Sequence, residues 1–85
     1  MPLPYRIDWL DQASADIRQI DRATAMRIFE GILHHARGGG GDVSPLHGGL
    51  AGHFRLRVGD YRVFFQLEEN VLRIAAVLHR SQAYR

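Results

Sequence analysis

Phe54-Arg55-Leu56-Arg57-Val58-Gly59-Asp60-Tyr61-Arg62-Val63-Phe64-Phe65 decides the fold of this chain. Apolar residues at 54, 56 and 58 alternate with Arg55 and Arg57, and Tyr61, Val63, Phe65 and Leu67 alternate with Arg62, Phe64 and Gln66. A period of two is the mark of a strand with one buried face. Gly59-Asp60 between the two runs is a two-residue turn signal, because glycine adopts the positive φ that a tight hairpin needs. The stretch therefore predicts a β-hairpin in which Val58 pairs with Tyr61, Arg57 with Arg62 and Arg55 with Phe64. In that register Phe54, Leu56, Val58, Val63, Phe65 and Leu67 share one face. Arg55, Arg57 and Arg62 share the other.

Downstream, Glu68 to Asn70 form a second turn and Val71 to Leu78 a largely apolar strand, as expected near the centre of a sheet. Continuing the register through Glu69-Asn70 places Arg73 and His79 on the arginine face. Upstream, residues 38 to 52 hold seven glycines and Pro45 and are expected to be a connector. Before it, Ala25, Ile28, Phe29, Ile32, Leu33 and Ala36 form an apolar stripe at helical spacing, opened by Asp21 as N-cap and stopped by Gly38 to Gly41. Asp11 is another N-cap candidate, and Leu10, Ala13, Ile17 and Ile20 recur at helical spacing. Tyr5, Ile7 and Trp9 alternate as a short first strand. The order is β-α-α-β-β-β, an α+β fold in which an N-terminal αα-hairpin packs on one face of an antiparallel sheet.

The chain has 85 residues, enough for one domain spanning 1–85 with a radius of gyration of about 12 Å. It has no cysteine, which removes disulfides, thiolate nucleophiles and zinc sites with sulfur ligands. It has no apolar run approaching a membrane span, and a cytoplasmic location is the expectation. The net charge of +2 conceals an asymmetry: residues 1–42 carry five Arg against six acids, and residues 43–85 carry six Arg against three. No lysine occurs, so every basic group is a planar, permanently charged fork suited to phosphate. There is no phosphate loop, dinucleotide-binding glycine pattern, serine nucleophile elbow or metal-ligand cluster, so neither a cofactor nor a metal is expected.

Arg57 directly opposite Arg62 is a like-charge conflict across a strand pair. With no acid among the face positions of these strands, it points to an anionic ligand, most simply an RNA or DNA backbone held across the sheet by Arg55, Arg57, Arg62 and Arg73. Phe64, among these arginines, is placed to stack a base. The competing readings are arginines paired with Glu68, Glu69 or Asp60, and a Phe64 covered by the C-terminal tail. Of the five histidines, His34 and His35 suit the negative end of a helix. His47 and His53 flank the glycine connector without an evident partner. His79 is the one that alternation assigns to the basic face as an acid or base.

Leu46-His47-Gly48-Gly49-Leu50, the hairpin stretch, and Val77-Leu78-His79-Arg80-Ser81-Gln82-Ala83-Tyr84-Arg85 together resemble the RelE/ParE superfamily of bacterial and archaeal type II toxins, and most closely its RelE-like branch. The resemblance spans nearly the whole chain. It implies the RelE-like microbial RNase fold and a ribosome-dependent, metal-independent endoribonuclease that cuts mRNA and inhibits translation. It assigns function to Arg55, Arg57, Arg62, Arg80 and Tyr84. Arg80 would face the core under strict alternation, so the family implies that the strand ends or bulges at His79. The chemistry implied is attack of an RNA 2′-OH on the adjacent phosphorus, giving a 2′,3′-cyclic phosphate and a free 5′-OH. Arg62 and Arg80 suit the cationic role, whereas Arg55 and Arg57 stand where some relatives have lysines, and Ser44 stands where others have a glutamate. His79 and Tyr84 are then the titratable candidates. A cognate antitoxin, RelB-like or other, is expected to wrap the helices and basic face in a hetero-oligomer, with ribosome and mRNA as the further partners. The alternatives are a ParE-like inhibitor of DNA gyrase and an inactive homologue that only binds antitoxin.

Overall fold

The computed structural model describes residues 5–46 and 52–83. Its elements run β1 (Arg6–Trp9), α1 (Asp11–Arg18), α2 (Arg22–Ala36), β2 (Asp42–Pro45), β3 (His53–Val58), β4 (Tyr61–Glu68), β5 (Val71–His79) and α3 (Arg80–Ala83). The five strands form one sheet in the order β1-β5-β4-β3-β2. The radius of gyration is 12.1 Å, as expected for this length.

The hairpin has the register its alternation predicts, with Val58 opposite Tyr61, Arg57 opposite Arg62 and Arg55 opposite Phe64. Gly59 sits at φ +57° and Asp60 does not share a positive φ, the arrangement of a hairpin turn with glycine first. The sheet core is built from Leu56, Val63, Phe65, Leu72, Ile74 and Val77, against Ala13 of α1 and Ile28, Ile32 and Ala36 of α2. Asp21 caps α2 by accepting from the Thr24 backbone N–H at 3.0 Å. Hydrogen bonds from the Thr24 side chain and backbone hold the Asp21 carboxyl below its ordinary value of 3.8. The cap is therefore fully formed above the carboxylate range and is lost as pH falls through it. At the other end Gly38 takes φ +87° and its N–H bonds to the His35 carbonyl, closing the helix.

Beyond α3, which no residue pattern announced, four features depart from the sequence reading. The glycine-rich connector contains β2, which pairs antiparallel with β3. β1 is parallel to β5, so the sheet is a four-stranded antiparallel meander with one parallel edge strand. Asp11 opens α1 from inside its first turn. The N-cap position is Leu10, which is 41% exposed and makes no side-chain cap. Phe29 lies on the flank of α2, 39% exposed, because the sheet covers only the narrower 25-28-32-36 stripe. Its ring instead meets Trp9 at 5.2 Å.

β1 has four residues and β5 nine, so half of the β5 edge has no neighbouring strand. α1 crosses there, and Asp16 Oδ2 accepts the Val77 N–H at 2.9 Å while Oδ1 accepts from Gln12 Nε2. One carboxylate thus replaces a missing strand partner and ties α1 to the sheet. Asp16→Ala should lower stability by about 1–3 kcal/mol, the penalty of an unpaired backbone donor. Asp16→Asn, which keeps an acceptor, should retain most of it. Urea unfolding of the two variants beside wild type measures the difference.

Candidate nucleic-acid interface

Strand pairing lays the outer face of the sheet out in rows. Asp42, Arg57, Arg62 and Leu78 align across β2, β3, β4 and β5. The next row is Ser44, Arg55, Phe64 and Ala76, and the third is His53, Gln66, Arg73 and Asp8, the last from β1. The four arginines and Phe64 selected from the sequence do share this face. Helices α1 and α2 pack against the opposite face.

The like-charge conflict is resolved inside the protein. Arg57 leans toward Asp42, its partner across β2, at 3.9 Å. Arg62 is only 8% exposed, and its guanidinium turns back to donate to the Gly59 and Tyr61 carbonyls, each at 3.0 Å. Arg73 lies between Glu68 at 2.8 Å and Asp8 at 3.8 Å. Arg80 pairs with Asp60 at 3.7 Å. The argument that these strands lack acids therefore fails: both edge strands bring a carboxylate to the open face. Those pairs are solvent-accessible, with side-chain exposures of 59% and 61% for Arg57 and Asp42. Each is worth ~0–1 kcal/mol, little enough for a phosphate to compete with it.

His79 is not on the basic face. Phe64 pairs with Ala76 and Phe65 with Ile74, so Ala75 is an extra residue in β5, a β-bulge. The bulge inverts the alternation, turning Val77 and His79 toward the helices. His79 lies opposite Tyr61, with ring centroids 5.3 Å apart in an edge-to-face contact, and its Nδ1 meets Ser81 Oγ at 2.9 Å. It lines a polar cleft of about 520 Å³ together with Asp16, Gln19 and Gln82. The same inversion gives Arg80 the parity of the basic face, and the strand ends at His79 as the resemblance implies. Arg80 follows as the first residue of α3, its N–H bonded to the Asp60 carbonyl at 2.7 Å. Tyr84 lies outside the described residues.

The profile of the family described as the ParE toxin of type II toxin–antitoxin systems matches residues 7–84. The chain belongs to that family, within the RelE/ParE superfamily. No curated protein matches this toxin by sequence. Among solved structures, it resembles the toxin of the RelB–RelE complex from Methanococcus jannaschii with a TM-score of 0.77, 20% identity and coverage of 91% of this chain and 94% of the other. The RelE–RelB complex from Pyrococcus horikoshii gives a TM-score of 0.72 at 27% identity, covering 95% and 100% of the two chains. The YafQ toxin from the Escherichia coli DinJ–YafQ complex gives 0.70 at 16% identity, covering 98% and 100%.

The sequence reading of this toxin missed His53 and Ser44 as members of the open face. His53 was legible, because it continues the 53-55-57 alternation. Ser44 was not, because nothing in a glycine-rich connector announces β2. Among the described residues, no helix is long and apolar enough to cross a membrane. A double-mutant cycle of Asp42→Ala and Arg57→Ala should give a coupling below about 1 kcal/mol that shrinks as salt rises from low to physiological strength, read by urea unfolding.

Proposed function

We propose that this type II toxin is an mRNA endoribonuclease acting at the ribosome. The observation that carries the reading is the convergence of Arg62 and Arg80 on the Gly59-Asp60 turn, at one end of an open sheet face that also carries Arg55, Arg57 and Phe64. A phosphate at that end meets the exposed Arg80 guanidinium and, once Arg62 turns out from its two carbonyls, a second one, while the strands beyond it offer cations for the backbone and a ring for a base. Arg62 and Arg80 stabilise the charge that grows on the phosphate oxygens as the 2′-OH attacks. The 2′-OH proton passes to a base, the P–O5′ bond breaks, and the 5′-oxygen leaves with a proton from an acid. The products are a 2′,3′-cyclic phosphate and a free 5′-OH.

Arg55 and Arg57 remain charged at any working pH and hold RNA without transferring protons. Tyr84, to which the resemblance assigns function, takes the acid–base role in this reading. His79, turned toward α1, is given no proton-transfer role in it. The cognate antitoxin, the counterpart of the RelB and DinJ chains in the solved complexes, covers the helical surface where Leu10, Met26 and Phe29 stand exposed, as well as the basic face. The ParE name of the family also accommodates a second reading, inhibition of DNA gyrase, which is no better supported.

Mapping of mRNA 5′ ends shortly after induction separates them. Wild type should produce new 5′-OH ends inside translated regions, and Arg62→Ala/Tyr84→Phe should produce none. Growth arrest without such ends, with gyrase supercoiling inhibited equally by wild type and double mutant, establishes the second reading instead.

A further inference from the structure

We infer that Asp60 is a positioning residue that presents Arg80 to the scissile phosphate. The inference rests on the nuclease reading for its catalytic meaning, but not for its geometry. Gly59, Asp60 and Tyr61 offer three consecutive backbone carbonyls, and all three are used by the two arginines: Gly59 and Tyr61 accept from Arg62 Nη1 at 3.0 Å, and Asp60 accepts the Arg80 N–H at 2.7 Å. The Asp60 carboxylate adds an ion pair to Arg80 Nε at 3.7 Å. One tight turn therefore sets the backbone origin of Arg80, the direction of its side chain and the direction of Arg62.

The atoms engaged matter. A guanidinium has five N–H groups on two usable edges. Either edge can hold an oxyanion in bidentate fashion, and Asp60 faces Nε of Arg80. Asp60 thus takes up one edge and leaves the edge of the two terminal nitrogens to the phosphate. Side-chain exposures of 64% for Arg80 and 67% for Asp60 make the pair weak. Its effect is to narrow the rotamers of a long side chain before substrate arrives, which acts on transition-state alignment.

Asp60→Asn tests this with little disturbance, because asparagine suits the turn and keeps the backbone carbonyl while removing the charge. In a purified translation system programmed with a defined mRNA, Asp60→Asn should lower kcat up to about fivefold with KM unchanged. Asp60→Glu should restore part of it. In an Arg80→Ala background, Asp60→Asn should have no further effect. An equal loss in that background shows that Asp60 acts elsewhere and overturns the proposal. An unchanged kcat in Asp60→Asn does the same. The free protein supplies a readout independent of activity: ¹⁵N relaxation of the Arg80 Nε–H group should report an ordered side chain in wild type and a more mobile one in Asp60→Asn. Equal mobility in both proteins overturns the positioning role. Ordered wild-type Arg80 without any mRNA cleavage refutes the nuclease reading while leaving the positioning intact.

Discussion

The two-residue turn at Gly59-Asp60 is the constraint on which the sheet and its open face depend. A left-handed glycine at the first central position gives the hairpin a twist compatible with its strands and leaves no freedom in register. Because side chains alternate with a period of two, a slip of β3 by one residue would turn Arg55 and Arg57 to the core side and Leu56 away from it. The desolvation of two guanidiniums opposes that alternative. The same turn then supplies the carbonyls that hold Arg62 and the main-chain contact that fixes the start of α3. Fold and candidate chemistry are set by one piece of backbone.

The charge pattern of the open face follows from how the sheet is edged. The hairpin strands carry the arginines, and the flanking strands β2 and β1 carry Asp42 and Asp8 in register with Arg57 and Arg73. Arg57 and Arg73 are consequently neutralised in the free protein by solvent-accessible ion pairs. Arg62 is the exception, drawn inward by two carbonyls and largely screened from solvent.

Much of this was legible from residue pattern. The alternation from Phe54 to Leu67, the turn between its halves and the apolar stripe of α2 specify the hairpin and the helix that covers it. The arginine cluster follows directly, since its members fall on the polar parity of the same strands. Phe29 and Leu10 were less legible because both fit the helical spacing; how wide a stripe the sheet covers is a property of packing. Asp16 was invisible as a structural residue, since its acceptor role exists only because β1 stops short of β5.

The sequence by itself determined the αα-hairpin, the register of β3 on β4 and the gathering of Arg55, Arg57, Arg62 and Phe64, because these rest on local periodicity and one turn. Only the tertiary structure decided which of His79 and Arg80 shares parity with them. Ala75 bulges where β5 passes from pairing with Phe65 to pairing with Phe64, and a single inserted residue inverts every side chain after it. Between Arg73 and His79 β5 is apolar on both faces, so its own sequence holds no alternation there to reveal the inversion. The bulge is settled instead by the strands beside it, with Leu72 and Ile74 buried on one side of Ala75 and Val77 on the other.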